Sequence, residues 1–201
     1  MWKLGLGWAD EARLAETWRS AQPFPHLVFD DVVGEAAMPE LLAILEEEPV
    51  ETFASEVYLF DASTPEPRTE AMRRLRESFA ATFGPPLERI TGKTLRRTDL
   101  RAYAYREGHY LLPHSDHQEG VGRALAFAYY VPSPEPPVSG ELELFRCATN
   151  DAGEIVATTS ETIIEAKGDR LVVFEVGELS LHQVREVLSG LRVSLSGWFY
   201  P

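Results

Sequence analysis

Cysteine is almost missing from this chain: Cys147 is the only one in 201 residues. A single thiol excludes an internal disulfide and any zinc site built from several thiolates, and a reducing cytoplasm is the simplest setting for it. Long apolar runs are missing too, with none reaching the roughly 18 residues that would cross a bilayer as a helix. The start, MWKLGLGWADEARLAETW, carries charge early and has no long apolar core, so no signal peptide is expected. Positive charge is scarce. The 19 Lys and Arg face 32 Asp and Glu, for a net charge of −13. That balance argues against general binding to nucleic acid phosphates, which needs clustered cations. It describes a soluble acidic surface, one that would also suit a basic protein partner. No membrane segment, internal repeat or low-complexity linker is present.

What remains is ordinary globular material. Apolar residues make up 44% and charged residues 25%, and the length suits one domain with one sizeable core. We expect a single domain over 1–201, with a helical and mixed support region over about 1–97 and a β core over about 98–200. Helices are expected at 8–21, 35–48 and 65–84, the last stopped by Gly84 and followed by a short helix at 86–91. Segments 23–33 and 55–61 read as short strands. From residue 98 the pattern changes to short strands with turns: 98–105, 109–116, 123–131, 140–147, 154–166, 170–176, 179–187 and 191–200. About eight strands in 100 residues point to an α+β, mainly β fold, an antiparallel sandwich or jelly roll with the N-terminal helices packed on one sheet. The Pro-rich stretch 132–140 is expected as a loop near the barrel mouth, and 150–154 as a hairpin turn.

Chemistry enters at YLLPHSD, residues 110–116. In a strand, positions i and i+2 point to one side, so His114 and Asp116 would present an imidazole and a carboxylate together. Two His and one carboxylate on one face of Fe(II) leave positions open for other ligands. A polar surface loop is the competing reading of so short a motif. His117 has the opposite parity and should point away, as should His109. His26, before an early strand, reads as structural or exposed.

A second feature is SLHQVREVLSGLRVSLSGWFY, residues 180–200. Ser189-Gly190 is a turn signal, so the two halves are expected to form a hairpin, with His182 on the strand paired to that of Arg192. In the second half Arg192, Ser194, Ser196 and Trp198 share one face, while Val193, Leu195 and Phe199 share the other. The apolar face can pack against helices, leaving the polar one for the barrel interior or for solvent. An interior Arg needs an anion, and its planar fork suits a carboxylate. In RALAFAYYV, residues 123–131, Ala124, Ala126, Ala128 and Tyr130 share a face. Methyl groups ending in a phenol either leave room for a ligand or pack closely against a second sheet.

Taken together, H-x-D, a His 66 residues after Asp116, and Arg-x-Ser ten residues beyond it resemble the 2-oxoglutarate- and Fe(II)-dependent oxygenases. PFPHLVFDDVV, YLLPHSD, GELELF, RLVVFEV and HQVREVL…RVSLSGWFY resemble the prolyl hydroxylase branch that includes the ribosomal-protein prolyl hydroxylases, over about residues 22–200. The resemblance implies a double-stranded β-helix, a cupin-like jelly roll. It implies His114, Asp116 and His182 as iron ligands and catalytic centre, and Arg192 with Ser194 and Tyr130 as the 2-oxoglutarate site. It implies Fe(II), 2-oxoglutarate and O2, with ascorbate as an auxiliary reductant. Related halogenases have Ala or Gly at the position of Asp116, so the carboxylate argues for hydroxylation. The ribosomal enzymes carry a second, degenerate oxygenase-like domain that is not expected here, which leaves the substrate less determined than the chemistry. The expected substrate is a prolyl residue of a protein or peptide, with a basic ribosomal or translation component in view. Hydroxylation of a free amino acid or small metabolite is the enzymatic alternative, and a non-catalytic jelly-roll binding module the alternative of another class. A zinc or manganese cupin would have no use for Arg-x-Ser after the distal His.

Overall fold

The structure is a computed structural model that describes residues 1–201. Three helices and three strands precede the β core: α1 (Glu11–Ser20), β1 (His26–Asp30), α2 (Met38–Glu47), β2 (Val50–Ala54), β3 (Tyr58–Ser63) and α3 (Glu70–Thr91). The core holds β4 (Arg97–Thr98), β5 (Arg101–Tyr105), β6 (Tyr110–His114), β7 (Leu125–Val131) and β8 (Val138–Ser139). Then come β9 (Leu142–Thr149), β10 (Ile155–Ile164), β11 (Arg170–Glu175), β12 (His182–Val184), β13 (Val187–Ser189) and β14 (Arg192–Tyr200). Every pairing is antiparallel. The main path runs β1-β11-β7-β14-β5-β3-β6-β12-β9-β10, one sheet curled into a jelly roll whose halves face each other. Strand β3 joins the halves: one edge pairs β2, and along the other its first residues, Tyr58 and Leu59, pair β6 and its later ones, Asp61 and Ala62, pair β5.

Two apolar layers follow from strand alternation. Leu125, Phe127 and Tyr129 of β7, Leu171 and Val173 of β11, and Leu195 and Phe199 of β14 face outward and meet Trp8, Trp18, Phe79, Phe83 and Leu87. The helices therefore cover one sheet, as the alternation of β14 predicts. Ala126, Ala128 and Tyr130, with Val172 and Phe174, face inward toward Leu142 and Leu144 of the opposite half. Phe79 is the pivot of the outer layer, its ring 4.4 Å from Phe127 and 4.8 Å from Phe83. Thr69 caps α3 through Met72 N, and the buried Glu48 carboxylate accepts from Arg68 N, Thr69 N and Thr69 Oγ1.

Five expectations need correction. Gly84 does not stop α3, which runs through Gly84-Pro85-Pro86 to Gly92, a residue in the left-handed conformation (φ 71°). The prolines remove two backbone donors, but Phe79, Phe83, Leu87 and Ile90 keep one unbroken buried face across them, and that burial outweighs the loss. The stretch 180–200 is not a hairpin. Strand β12 is flanked by β6 and β9, and β14 by β5 and β7, so neither has an edge free for the other. The turn at Gly190 (φ 78°) crosses from one half of the roll to the other. The segment 179–187 contains only the short β12, with β13 beginning at its end. Loop 132–140 lies behind Arg192 rather than at the cavity mouth: Leu191 N donates to Glu135 O at 2.9 Å, and β8 pairs β13. Strand β6 ends at His114, so Asp116 stands on the loop beyond it. The 150–154 turn is as expected, closed by Asn150 N to Glu154 O at 3.0 Å.

Candidate active site

The polar face of β14 points into the roll. Arg192, Ser194, Ser196 and Trp198 line a cavity of about 510 Å³, together with His114, Asp116, His182, Ala126 and Ala128. The methyl-lined face of β7 thus opens space rather than closing it.

His114 and His182 are direct cross-strand partners on β6 and β12, with ring centroids 4.3 Å apart. Each ring is oriented by its own backbone. His114 Nδ1 lies 2.9 Å from Leu112 O, and His182 Nδ1 lies 3.0 Å from Ser180 O. A carbonyl only accepts, so each Nδ1 carries a proton, and in the neutral ring Nε2 is then the atom that presents a lone pair. Those Nε2 atoms stand 3.7 and 3.6 Å from the two Asp116 oxygens, too far for good hydrogen bonds. One ligand atom from each of the three residues lies within 4.8 Å of the others. Burial pushes the His182 imidazole well below its ordinary pKa, against the opposing pull of the Asp116 carboxylate, so it is neutral near pH 7. Ser115 Oγ and Ser180 Oγ both donate to Gly177 O at 2.7 Å, tying the two ligand-bearing segments together. Two imidazoles and one carboxylate, convergent and half-enclosed, are the donor set that suits a divalent first-row metal, and they fit Fe(II).

Deeper in the roll Arg192 is 3% exposed, and no carboxylate lies within ion-pairing distance of it. Its guanidinium sits between the rings of Tyr105 and Tyr130, 4.7 and 4.9 Å from their centroids, with Nη1 3.4 Å from Ser194 Oγ. Arg192 Nε and Tyr130 Oη are buried and without a partner. Burial raises the Tyr130 and Tyr105 phenols above their ordinary pKa, with Arg192 opposing, so both remain donors. A buried cation, an orphaned phenol and a hydroxyl together make a seat for a carboxylate.

Of the other histidines, His117 faces outward, its Nε2 3.8 Å from Glu178, and His26 bonds the Phe24 carbonyl through Nδ1. Sequence reasoning missed Tyr105, Arg101 and Arg123. The signal for Tyr105 was available, since Arg101, Tyr103 and Tyr105 alternate with Ala102 and Ala104 on β5. Arg123 sits in a loop with no period to betray it. The strand expected at 55–61 is β3, and β2 and β3 form a hairpin whose Phe53, Tyr58 and Phe60 line the cavity.

The fold and the cavity define a jelly roll with a two-His, one-carboxylate centre and a buried carboxylate seat. A family model described as the 2OG-Fe(II) oxygenase superfamily matches residues 100–200, and the chain belongs to that superfamily. Membership implies Fe(II), 2-oxoglutarate and O2. Prolyl 3-hydroxylase OGFOD1 of Mus musculus is 37% identical over 142 residues, which is 67% of this chain and 24% of that protein. Prolyl 3-hydroxylase OGFOD1 of Xenopus laevis is 33% identical over 189 residues, 89% of this chain and 35% of that protein. The chain therefore spans about a quarter to a third of the length of these relatives. Among solved structures, a Pseudomonas putida prolyl-4-hydroxylase superposes with a TM-score of 0.65 at 18% identity, covering 93% of this chain and 98% of that one. At that identity the likeness shows the fold.

Proposed function

We propose that this protein is a 2-oxoglutarate-dependent hydroxylase of prolyl residues in a protein or peptide. The observation that carries the cosubstrate assignment is Arg192, buried, without a carboxylate partner, on the cavity wall that also faces the three-ligand cluster. His114 and His182, through Nε2, and Asp116, through a carboxylate oxygen, hold the metal. Arg192 takes the distal carboxylate of 2-oxoglutarate through its fork, with Tyr130 Oη and Ser194 Oγ donating beside it. Ala126 and Ala128 keep the space between these points open. Bound there, Fe(II) and 2-oxoglutarate supply the oxidation that turns a substrate C–H into C–OH with release of succinate and CO2. Ascorbate serves as auxiliary reductant in this reading.

The prolyl assignment is supported by the two relatives named prolyl 3-hydroxylases. The net charge of −13 supports a basic protein such as a ribosomal or translation component as the target, met in the cytoplasm. The test has two stages. Anaerobic protein with Fe(II) and 2-oxoglutarate should give the weak visible charge-transfer band of the chelate, and Arg192→Ala should lose it at the same cosubstrate concentration. Peptides from ribosomal and elongation proteins are then assayed for a gain of one oxygen at proline. A missing band overturns the cosubstrate assignment, and unmodified peptides with intact 2-oxoglutarate binding overturn the substrate assignment.

A further inference from the structure

The cavity holds more unanswered donors than 2-oxoglutarate can use. Besides Arg192 Nε, with Tyr130 Oη buried behind it, the buried donors without a partner that line it are Arg101 Nη2, Arg123 Nε and Trp198 Nε1. These three sit at the other end of the wall. Arg192 and Trp198 are six residues apart on β14, about 20 Å along a strand, so no small dicarboxylate held by Arg192 also satisfies Trp198.

The three donors belong together. Arg123 Cζ lies 3.8 Å over the Trp198 ring, and Arg123 Nη1 donates to Asp116 O at 3.0 Å. Arg101 projects from β5, the neighbour of β14, fixed by Nε donating to Ser63 O at 2.7 Å and stacked 5.2 Å from the Phe53 ring. Charge points the same way. Among the residues lining the cavity are three guanidiniums, Arg101, Arg123 and Arg192, and one carboxylate, Asp116. Asp116 is a ligand in the metal cluster and 3.9 Å from Arg123 Nη1. Arg101 has no ion-pair partner, so in a protein of net charge −13 the cavity wall is locally cationic. Buried guanidinium donors left unpaired cost folding energy unless a ligand answers them.

We propose that Arg101, Arg123 and Trp198 form a second anion subsite, which binds a carboxylate carried by the primary substrate. This rests on the hydroxylase reading above and specifies its substrate. Because Arg123 touches Asp116, the carboxylate sits close to the reacting carbon, on the residue next to the target proline or on the proline itself. The acidic exterior and the cationic cavity then divide the work: the exterior meets the partner's bulk charge, and the subsite reads one acidic group.

The test uses protein loaded with Mn(II) and 2-oxoglutarate, titrated by calorimetry with four probes. Two are blocked peptides, acetyl-Ala-Pro-Asp-Ala-amide and its Asn isostere; two are acetyl-proline and acetyl-proline amide. The carboxylate member of at least one pair should bind tenfold or more tightly than its neutral partner, as expected for a charge-assisted contact. Which pair shows the preference tells a side-chain carboxylate from a terminal one. Arg101→Gln should bring that ratio to about one, and Arg101→Lys should keep part of it, with 2-oxoglutarate affinity unchanged in both. Equal binding within both pairs, or a preference that survives Arg101→Gln, overturns the subsite. Failure of the 2-oxoglutarate titration itself would instead indict the hydroxylase reading, and the two results are read separately.

Discussion

Replacing Arg192 with methionine separates what this residue does for the fold from what it does for a ligand. Methionine keeps the length and most of the volume between the Tyr105 and Tyr130 rings. In the ligand-free protein the guanidinium is buried with no carboxylate near it, so its removal relieves a desolvation penalty. Swapping buried ionic groups for apolar ones of like volume is neutral or stabilising by about 1–4 kcal/mol. Loss of the two ring contacts offsets this by about 0.5–2 kcal/mol each. The melting temperature of ligand-free Arg192→Met should therefore stay near that of the wild type or rise. Binding should behave oppositely. A ligand carboxylate left in that seat without its cation costs about 3–5 kcal/mol, roughly a hundredfold to a few thousandfold in Kd. At a hundred times its Kd, 2-oxoglutarate stabilises the wild type by about 2.7 kcal/mol, roughly 5–11 °C for a chain of this size. The variant should shift by no more than about 1–2 °C at that concentration. Differential scanning fluorimetry with and without 2-oxoglutarate, and calorimetry for Kd, read both effects. A variant that binds within threefold of wild type, or one whose ligand-free form loses more than about 2 kcal/mol, refutes the reasoning.

Asp116→Ala should leave the fold intact and lower Fe(II) affinity by at least the ten- to hundredfold typical of losing even a supporting partner, measured by competition with a chromogenic chelator. Asp30→Asn should flatten the acid limb of the stability curve. The hydrogen bond from Arg170, aided by Lys167, holds the Asp30 pKa at about 2, below its ordinary 3.8. A depressed carboxylate stabilises above its unfolded pKa, and that contribution fades as pH falls from about 4 to about 2. Urea denaturation across that window should show a slope the variant lacks; an unchanged slope would remove Asp30 from the account. Gly197→Ala should destabilise the protein by about 3 kcal/mol or more, since a Cβ there overlaps the Asp99 carbonyl oxygen and lies 2.8 Å from its carbon. A chemical melt within about 0.5 kcal/mol of wild type would mean the β4–β5 corner yields freely.

How far the site could be read in advance depended on whether the signal was local. Arg192, Ser194, Ser196 and Trp198 declared their common face because β14 is nine residues of regular strand, and the structure puts that face in the cavity. Ala126 and Ala128 did the same on β7. His182 was picked out by its residue type and spacing, but its neighbour was misjudged. Ser189-Gly190 is a sound turn signal, and nothing within a few residues of it reveals that both edges of β14 are taken by strands from elsewhere in the chain. The backbone carbonyls of Leu112 and Ser180 that orient the two imidazoles have no sequence signature at all. In α3 the punctuation of Gly84-Pro85-Pro86 was legible and misleading, because the burial that overrides it comes from sheet residues such as Phe127 and Phe199.

The loop at 132–140 has a kinetic consequence. It packs against Leu191 behind the Arg192 end of the cavity, while Trp198, Arg101 and the β2–β3 hairpin line the cavity away from it. Entry from the end away from Arg192 would set a queue. For the hydroxylase proposed above, 2-oxoglutarate would have to enter the deep seat before a bulky peptide covers it. Succinate would leave only after the product above it had cleared. Binding in sequence, with release in the reverse order, would then follow from the shape of the barrel rather than from any moving part.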